Sequence, residues 1–149
     1  MSLVGISVQT DFGSSSHFSK SYKEIYNDAI ETERWNRLHP EKEPRTSYIA
    51  ECLGDADAGP VVAASDYIKA TSSCVASFVP GGMTCLGTDG YGRSEAREEL
   101  REFFEVDHRH IACTALQELA KAGAIEASVV SRAIKDLDIN PEKLSPIYC

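Results

Sequence analysis

The sequence predicts an α/β fold, and three observations carry that prediction. A short apolar run, Val61-Val62-Ala63-Ala64, and a second strand-like stretch, Met83-Thr84-Cys85-Leu86, bracket a stretch of helical spacing, which reads as a compact βαβ unit. Apolar residues three and four apart recur on both sides of that unit, as amphipathic helices require. The length of 149 residues, with 42% hydrophobic and 26% charged, suits one soluble domain able to bury a core.

Residues 1–18 stand apart from the rest. Val4, Ile6 and Val8 alternate as a short strand would, and Gly13-Ser14-Ser15-Ser16 reads as a flexible polar patch. From Tyr22 the pattern turns helical: Tyr22, Ile25, Tyr26, Ala29 and Ile30 fall on one face. That helix should stop before His39-Pro40, because the residue before proline avoids the α region. An ordered loop follows at 41–45, then a short helix carrying Tyr48, Ile49, Cys52 and Leu53, ended near Gly54.

Gly59-Pro60 introduces the first strand, 61–64. Asp66 is the expected cap of the next helix. Its apolar stripe is Tyr67, Ala70, Cys74 and Phe78, and Pro80-Gly81-Gly82 breaks it ahead of the second strand, 83–86. Ser94 is the expected N-cap of a helix bearing Ala96, Leu100, Phe103 and Phe104. Asp107 should cap another, with Ile111, Ala112, Ala115, Leu116, Leu119 and Ala120 on its stripe and Gly123 just past its end. A last helix carries Val129, Val130, Ala133, Ile134 and Leu137, with Pro141 beyond it and an irregular tail at 144–149.

Charge and cysteine usage narrow the function. Fifteen Lys and Arg against 23 Asp and Glu leave a net charge of −8, which argues against non-specific nucleic-acid binding. No apolar run approaches the ~20 residues of a membrane helix, and no basic segment leads into an apolar one as in a signal peptide. The five cysteines are odd in number and widely spaced, with no Cys-x-x-Cys. They read as reduced thiols of a cytoplasmic protein, not as a disulfide framework or zinc site.

The densest chemical signal is Leu86-Gly87-Thr88-Asp89-Gly90-Tyr91-Gly92-Arg93-Ser94, between a strand and a helix. Gly87, Gly90 and Gly92 would let backbone N–H groups approach an anion, with Arg93 adding a guanidinium and a helix N-terminus adding positive partial charge. This spacing matches neither a Walker loop nor G-x-G-x-x-G. The competing account is a tight turn in which Asp89 and Ser94 satisfy backbone donors. His108 and His110, two apart, do not share a helix face and read as a solvated helix start. Cys113 reads as core packing and His39 as a hydrogen-bonded loop residue. Trp35, flanked by Arg34 and Arg37, is either an interface anchor or a plug under the proline-bounded loop.

Five stretches taken together resemble a known family. They are Ser21-Tyr22-Lys23-Glu24-Ile25, Glu33-Arg34-Trp35-Asn36-Arg37-Leu38-His39-Pro40, Gly59-Pro60-Val61-Val62-Ala63-Ala64-Ser65-Asp66-Tyr67, the 86–94 stretch, and Phe103-Phe104-Glu105-Val106-Asp107. In order and spacing they resemble the C-terminal domain of homodimeric bacterial pyruvate dehydrogenases, the thiamine-diphosphate-dependent decarboxylating component of that complex. The resemblance covers residues 19–149 and implies a transketolase C-terminal-like, three-layer α/β/α sandwich with a mostly parallel sheet.

It implies further that thiamine diphosphate, Mg²⁺ and the catalytic residues of the family belong to preceding domains, so no catalytic, cofactor or metal residue carries over here. In that family the domain serves the homodimer and helps dock the dihydrolipoyl acyltransferase core. The isolated chain is expected to be inactive. Residues 1–18 do not match, and the family's further strand–helix–strand segment upstream is missing. The sheet is therefore expected to be incomplete on its N-terminal side and to self-associate through its open edge. Thr71-Ser72-Ser73 stands where the family pattern has a proline-containing turn. The alternative from another class is a small anion-binding module built on the 87–94 turn.

Overall fold

A computed structural model describes the backbone of residues 15–53 and 59–148, with the side chains of 23–53 and 59–148. The chain divides into two compact units. One comprises the residues up to 58 together with 78–80, and the other comprises 59–77 with 81 onward.

The first unit holds α1 (Ser15–Leu38) and α2 (Tyr48–Leu53). The α1 helix begins ahead of the Tyr22 periodicity, so Ser15 and Ser16 are helical and not part of a flexible patch. No glycine or proline interrupts residues 15–21, and extending an existing helix costs little. Gly13, Ser14, the 4–8 alternation, the Tyr22 side chain and the Gly54 helix stop lie outside the described residues. Ala29 is buried while Ile25, Tyr26 and Ile30 are half-buried, so the expected face points inward. Tyr26 meets Phe78 edge-to-face at 6.3 Å, and among the described residues of this unit Ile49 and Val79 are buried with Ala29. The α1 helix ends at Leu38, as Pro40 requires. Tyr48 and Cys52 lie on the exposed side of α2.

The second unit is built on β1 (Val61–Ala64), α3 (Lys69–Ala76) and β2 (Met83–Leu86). The strands pair in parallel, Val61 opposite Met83 through Ala64 opposite Leu86, and form a two-stranded sheet. Both strands have the expected bounds. Then come α4 (Arg97–Phe103), α5 (His108–Lys121), α6 (Ala127–Asp136) and a 3-10 turn, Pro146–Tyr148, inside the tail expected to be irregular. The α3 helix packs on β2, α5 on β1, and α6 on α5. Phe104, Val106 and Val130 are the buried apolar side chains here.

Helix ends in this unit follow local chemistry in some places and distant chemistry in others. Asp107 caps α5 as expected, its carboxylate accepting the His110 N–H at 2.9 Å. Gly123, at φ +73°, closes α5 in a Schellman pattern: the Gly123 N–H reaches the Ala120 carbonyl and the Ala124 N–H that of Leu119. Asp138, at φ +53°, ends α6 the same way through Ile139 and Ile134.

Asp66 does not cap α3, and Ser94 does not cap α4. The helices start later, after Ile68 and Ala96. The Thr88 N–H takes the Tyr67 carbonyl at 2.8 Å and the backbone at Ile68 has ψ 141°, while the backbone at Ala96 is extended with ψ 152°. The α3 stripe also differs from expectation. Tyr67 precedes the helix, Phe78 follows it, and Ala70 and Cys74 are exposed; Thr71, Ser72, Val75 and Ala76 form its half-buried face. Ala112 of α5 and Val129 of α6 are likewise exposed despite lying on their stripes. No helix among the described residues is long and apolar enough to cross a membrane.

Candidate functional site

The carboxyl ends of β1 and β2 bring together the 65–69 segment and the 87–94 turn, the position where open parallel sheets usually carry their sites. Gly87 makes the crossing possible. It is buried, and a Cβ there would lie 2.6 Å from the Lys69 nitrogen and 2.7 Å from the Tyr67 oxygen. Three bonds stitch the segments together. The Thr88 N–H reaches the Tyr67 carbonyl, the Thr88 hydroxyl donates to the Asp66 carbonyl at 3.0 Å, and the Lys69 N–H donates to Asp89 Oδ1 at 2.8 Å.

Asp89 is thus the acceptor at the start of α3, twenty residues ahead of it in the chain, with the Lys69 ammonium 3.7 Å from its other oxygen. The negative charge favoured at this helix start comes from the chain's own carboxylate. Gly90 adopts φ +110° with the Pro146 carbonyl 2.8 Å from where a Cβ would sit, so the C-terminal tail closes over the turn. Gly92 has open space around it. Arg93 lies with its guanidinium 4.1 Å above the Phe103 ring, and Ser94 is exposed. Of the six turn residues singled out in the sequence, Gly87, Asp89 and Gly90 act on neighbouring backbone. Arg93 packs on α4.

Beside the turn lies an open groove of about 990 Å³ at the end of β1. Its two arginines are engaged by carboxylates. Arg101 grips Asp66 in a fork, Nε to Oδ1 at 3.2 Å and Nη2 to Oδ2 at 3.0 Å. Arg109 bridges Asp107 at 2.8 Å and Glu102 at 3.1 Å. The Arg101 hydrogen bond lowers the Asp66 carboxyl below the usual range against a smaller opposing effect of burial.

Burial works against ionisation of Asp107, yet the backbone and ring of His110 together with Arg109 hold it at about 2. Nδ1 of His110 lies 2.6 Å from Asp107, which occupies that ring nitrogen in capping. Cys113 is half-buried and its thiol is pushed up by burial, away from thiolate chemistry. Among the described residues no group of three or more His, Cys, Asp or Glu could hold a metal ion.

In the other unit, Trp35 is half-buried against its own loop. His39 stacks on it at 4.4 Å with its Nδ1–H donating to the Trp35 carbonyl at 2.9 Å, and the Arg45 guanidinium covers the ring at 4.0 Å. Asn36 fastens the loop by exchanging two bonds with the Arg45 backbone, at 2.7 and 2.9 Å. Arg34, 3.7 Å from Glu31, and Arg37 are exposed.

Sequence reading missed the Asp66–Arg101 fork and the Lys143 ammonium. Lys143 donates to the carbonyls of Glu102 and Phe103 at the end of α4, at 2.8 and 2.9 Å. These partners are 35 to 41 residues apart, beyond any local spacing rule.

Residues 17–107 match the family model of the transketolase-like TK C-terminal domain. The chain is 46% identical over 130 residues to the pyruvate dehydrogenase E1 component of Pseudomonas aeruginosa, covering 87% of this chain and 15% of that protein. It is 44% identical over 135 residues to that of Escherichia coli, covering 90% and 15%. It is 40% identical over 129 residues to that of Haemophilus influenzae, covering 86% and 14%. The chain therefore spans about 15% of the length of these relatives. An α/β fold on a parallel strand pair, with this match over most of its length, places the chain in the transketolase-like C-terminal domain family.

Proposed function

We propose that this chain is a non-catalytic structural and assembly domain of a cytoplasmic pyruvate dehydrogenase. The parent reaction is the thiamine-diphosphate-dependent oxidative decarboxylation of pyruvate with acetyl transfer to lipoamide. The coenzyme, its Mg²⁺ and the reacting residues reside outside these 149 residues. The domain serves the homodimer and the docking of the acyltransferase core, and alone it self-associates.

One observation supports this reading: among the described residues the parallel sheet has two strands, each with an outer edge that no other described strand pairs. Parallel strands are ordinarily covered on both sides, and an open edge invites pairing. Meanwhile the polar groups at the strand ends are engaged in holding the chain to itself. Arg37, exposed beside the half-buried Trp35, and Arg34, exposed and 3.7 Å from Glu31, are the part of that trio facing solvent.

Light scattering behind a sizing column tests the proposal. Dimers or larger species are expected, and a clean monomer at high concentration overturns self-association. Pyruvate turnover by the purified chain with thiamine diphosphate and Mg²⁺ overturns the non-catalytic role. The anion-binding alternative has less support, since Asp89 sits at the start of α3 and Arg93 lies on Phe103. Titration with phosphate, pyruvate or thiamine diphosphate separates it: heat or a thermal shift would favour it.

A further inference from the structure

We draw no further inference here: the strongest candidate, the open groove of about 990 Å³ at the carboxyl end of β1 between Asp66, Glu98, Glu99 and Glu102, is a cluster of acidic side chains whose two arginines are engaged by carboxylates, and nothing in the structure shows what fills it.

Discussion

Substituting Gly87 by alanine separates a backbone crossing from an anion cradle. The new Cβ would meet the Lys69 nitrogen at 2.6 Å, the Tyr67 oxygen at 2.7 Å and the Lys69 Cα at 2.8 Å. All three are main-chain atoms, so no side chain can swing aside. To reach ordinary contact the 67–69 segment must retreat by roughly 0.6–0.8 Å, given how steeply repulsion rises at short range. That movement stretches both 2.8 Å bonds, Thr88 to Tyr67 and Lys69 to Asp89, past useful length. A neutral bond contributes about 1 kcal/mol and one to a charged group about 1.5–3, so Gly87→Ala costs about 2–4 kcal/mol.

Gly92→Ala is the control. Its Cβ meets nothing within 4 Å, and the change stays within about 0.5 kcal/mol. Gly90→Ala falls between, at about 1–3 kcal/mol, from its φ of +110° and the Pro146 carbonyl. Urea unfolding midpoints at equal slope read the series, as do melting temperatures at about 2–4 °C per kcal/mol. Equal stability of Gly87→Ala and Gly92→Ala would refute the crossing as the reason for glycine at 87.

Three further outcomes follow from the same geometry. Asp107, at about 2 against the usual 3.8, adds stability above about pH 4 that is lost as the pH falls through about 2. Asp107→Asn retains a capping oxygen but is about 2 kcal/mol less stable near neutral pH, a gap that shrinks to about half near pH 3; denaturation curves at the two pH values check this, and a constant gap contradicts it. Asp89→Ala removes the acceptor at the start of α3 and costs about 0.5–2 kcal/mol, with Asp89→Asn milder; amide exchange at Lys69 should accelerate in the alanine variant, and unchanged exchange rejects the cap. Trp35→Ala costs about 1–2 kcal/mol from the lost His39 stack and Arg45 contact, with faster proteolysis in the 39–46 loop; an unaltered cleavage pattern would show that the ring does not hold the loop.

The strands are legible to the residue because Val61–Ala64 is a continuous apolar run after Gly59-Pro60 and Met83–Leu86 lies between Gly82 and Gly87. Asp107 and Gly123 were legible because their partners lie within one helical turn. Asp66 was misassigned for the opposite reason. From the chain alone it looks like a cap, but Thr88 takes the Tyr67 carbonyl from across the sheet end, and Arg101 takes the carboxylate. The α3 face was misread because its start shifted with that bond. The 87–94 turn was found as a place, while the roles within it depended on the 65–69 segment and the tail, which no periodicity connects to it. Trp35 reads two ways in the sequence, and Arg45, ten residues on, lies over its ring through a contact that no local spacing announces.

Several helix ends are sealed by residues far away in the chain: Asp28 accepts the Tyr48 N–H at the start of α2, Asp89 serves α3, and Lys143 closes α4. None of those seals exists while the chain is extended. The carbonyls of Glu102 and Phe103 at the end of α4 gain this partner only when residue 143, forty residues after Phe103, folds back onto them. Such non-local closure slows folding and ties secondary structure to the final assembly of the unit. Removing the 143–148 segment would therefore loosen a helix forty residues away in the chain.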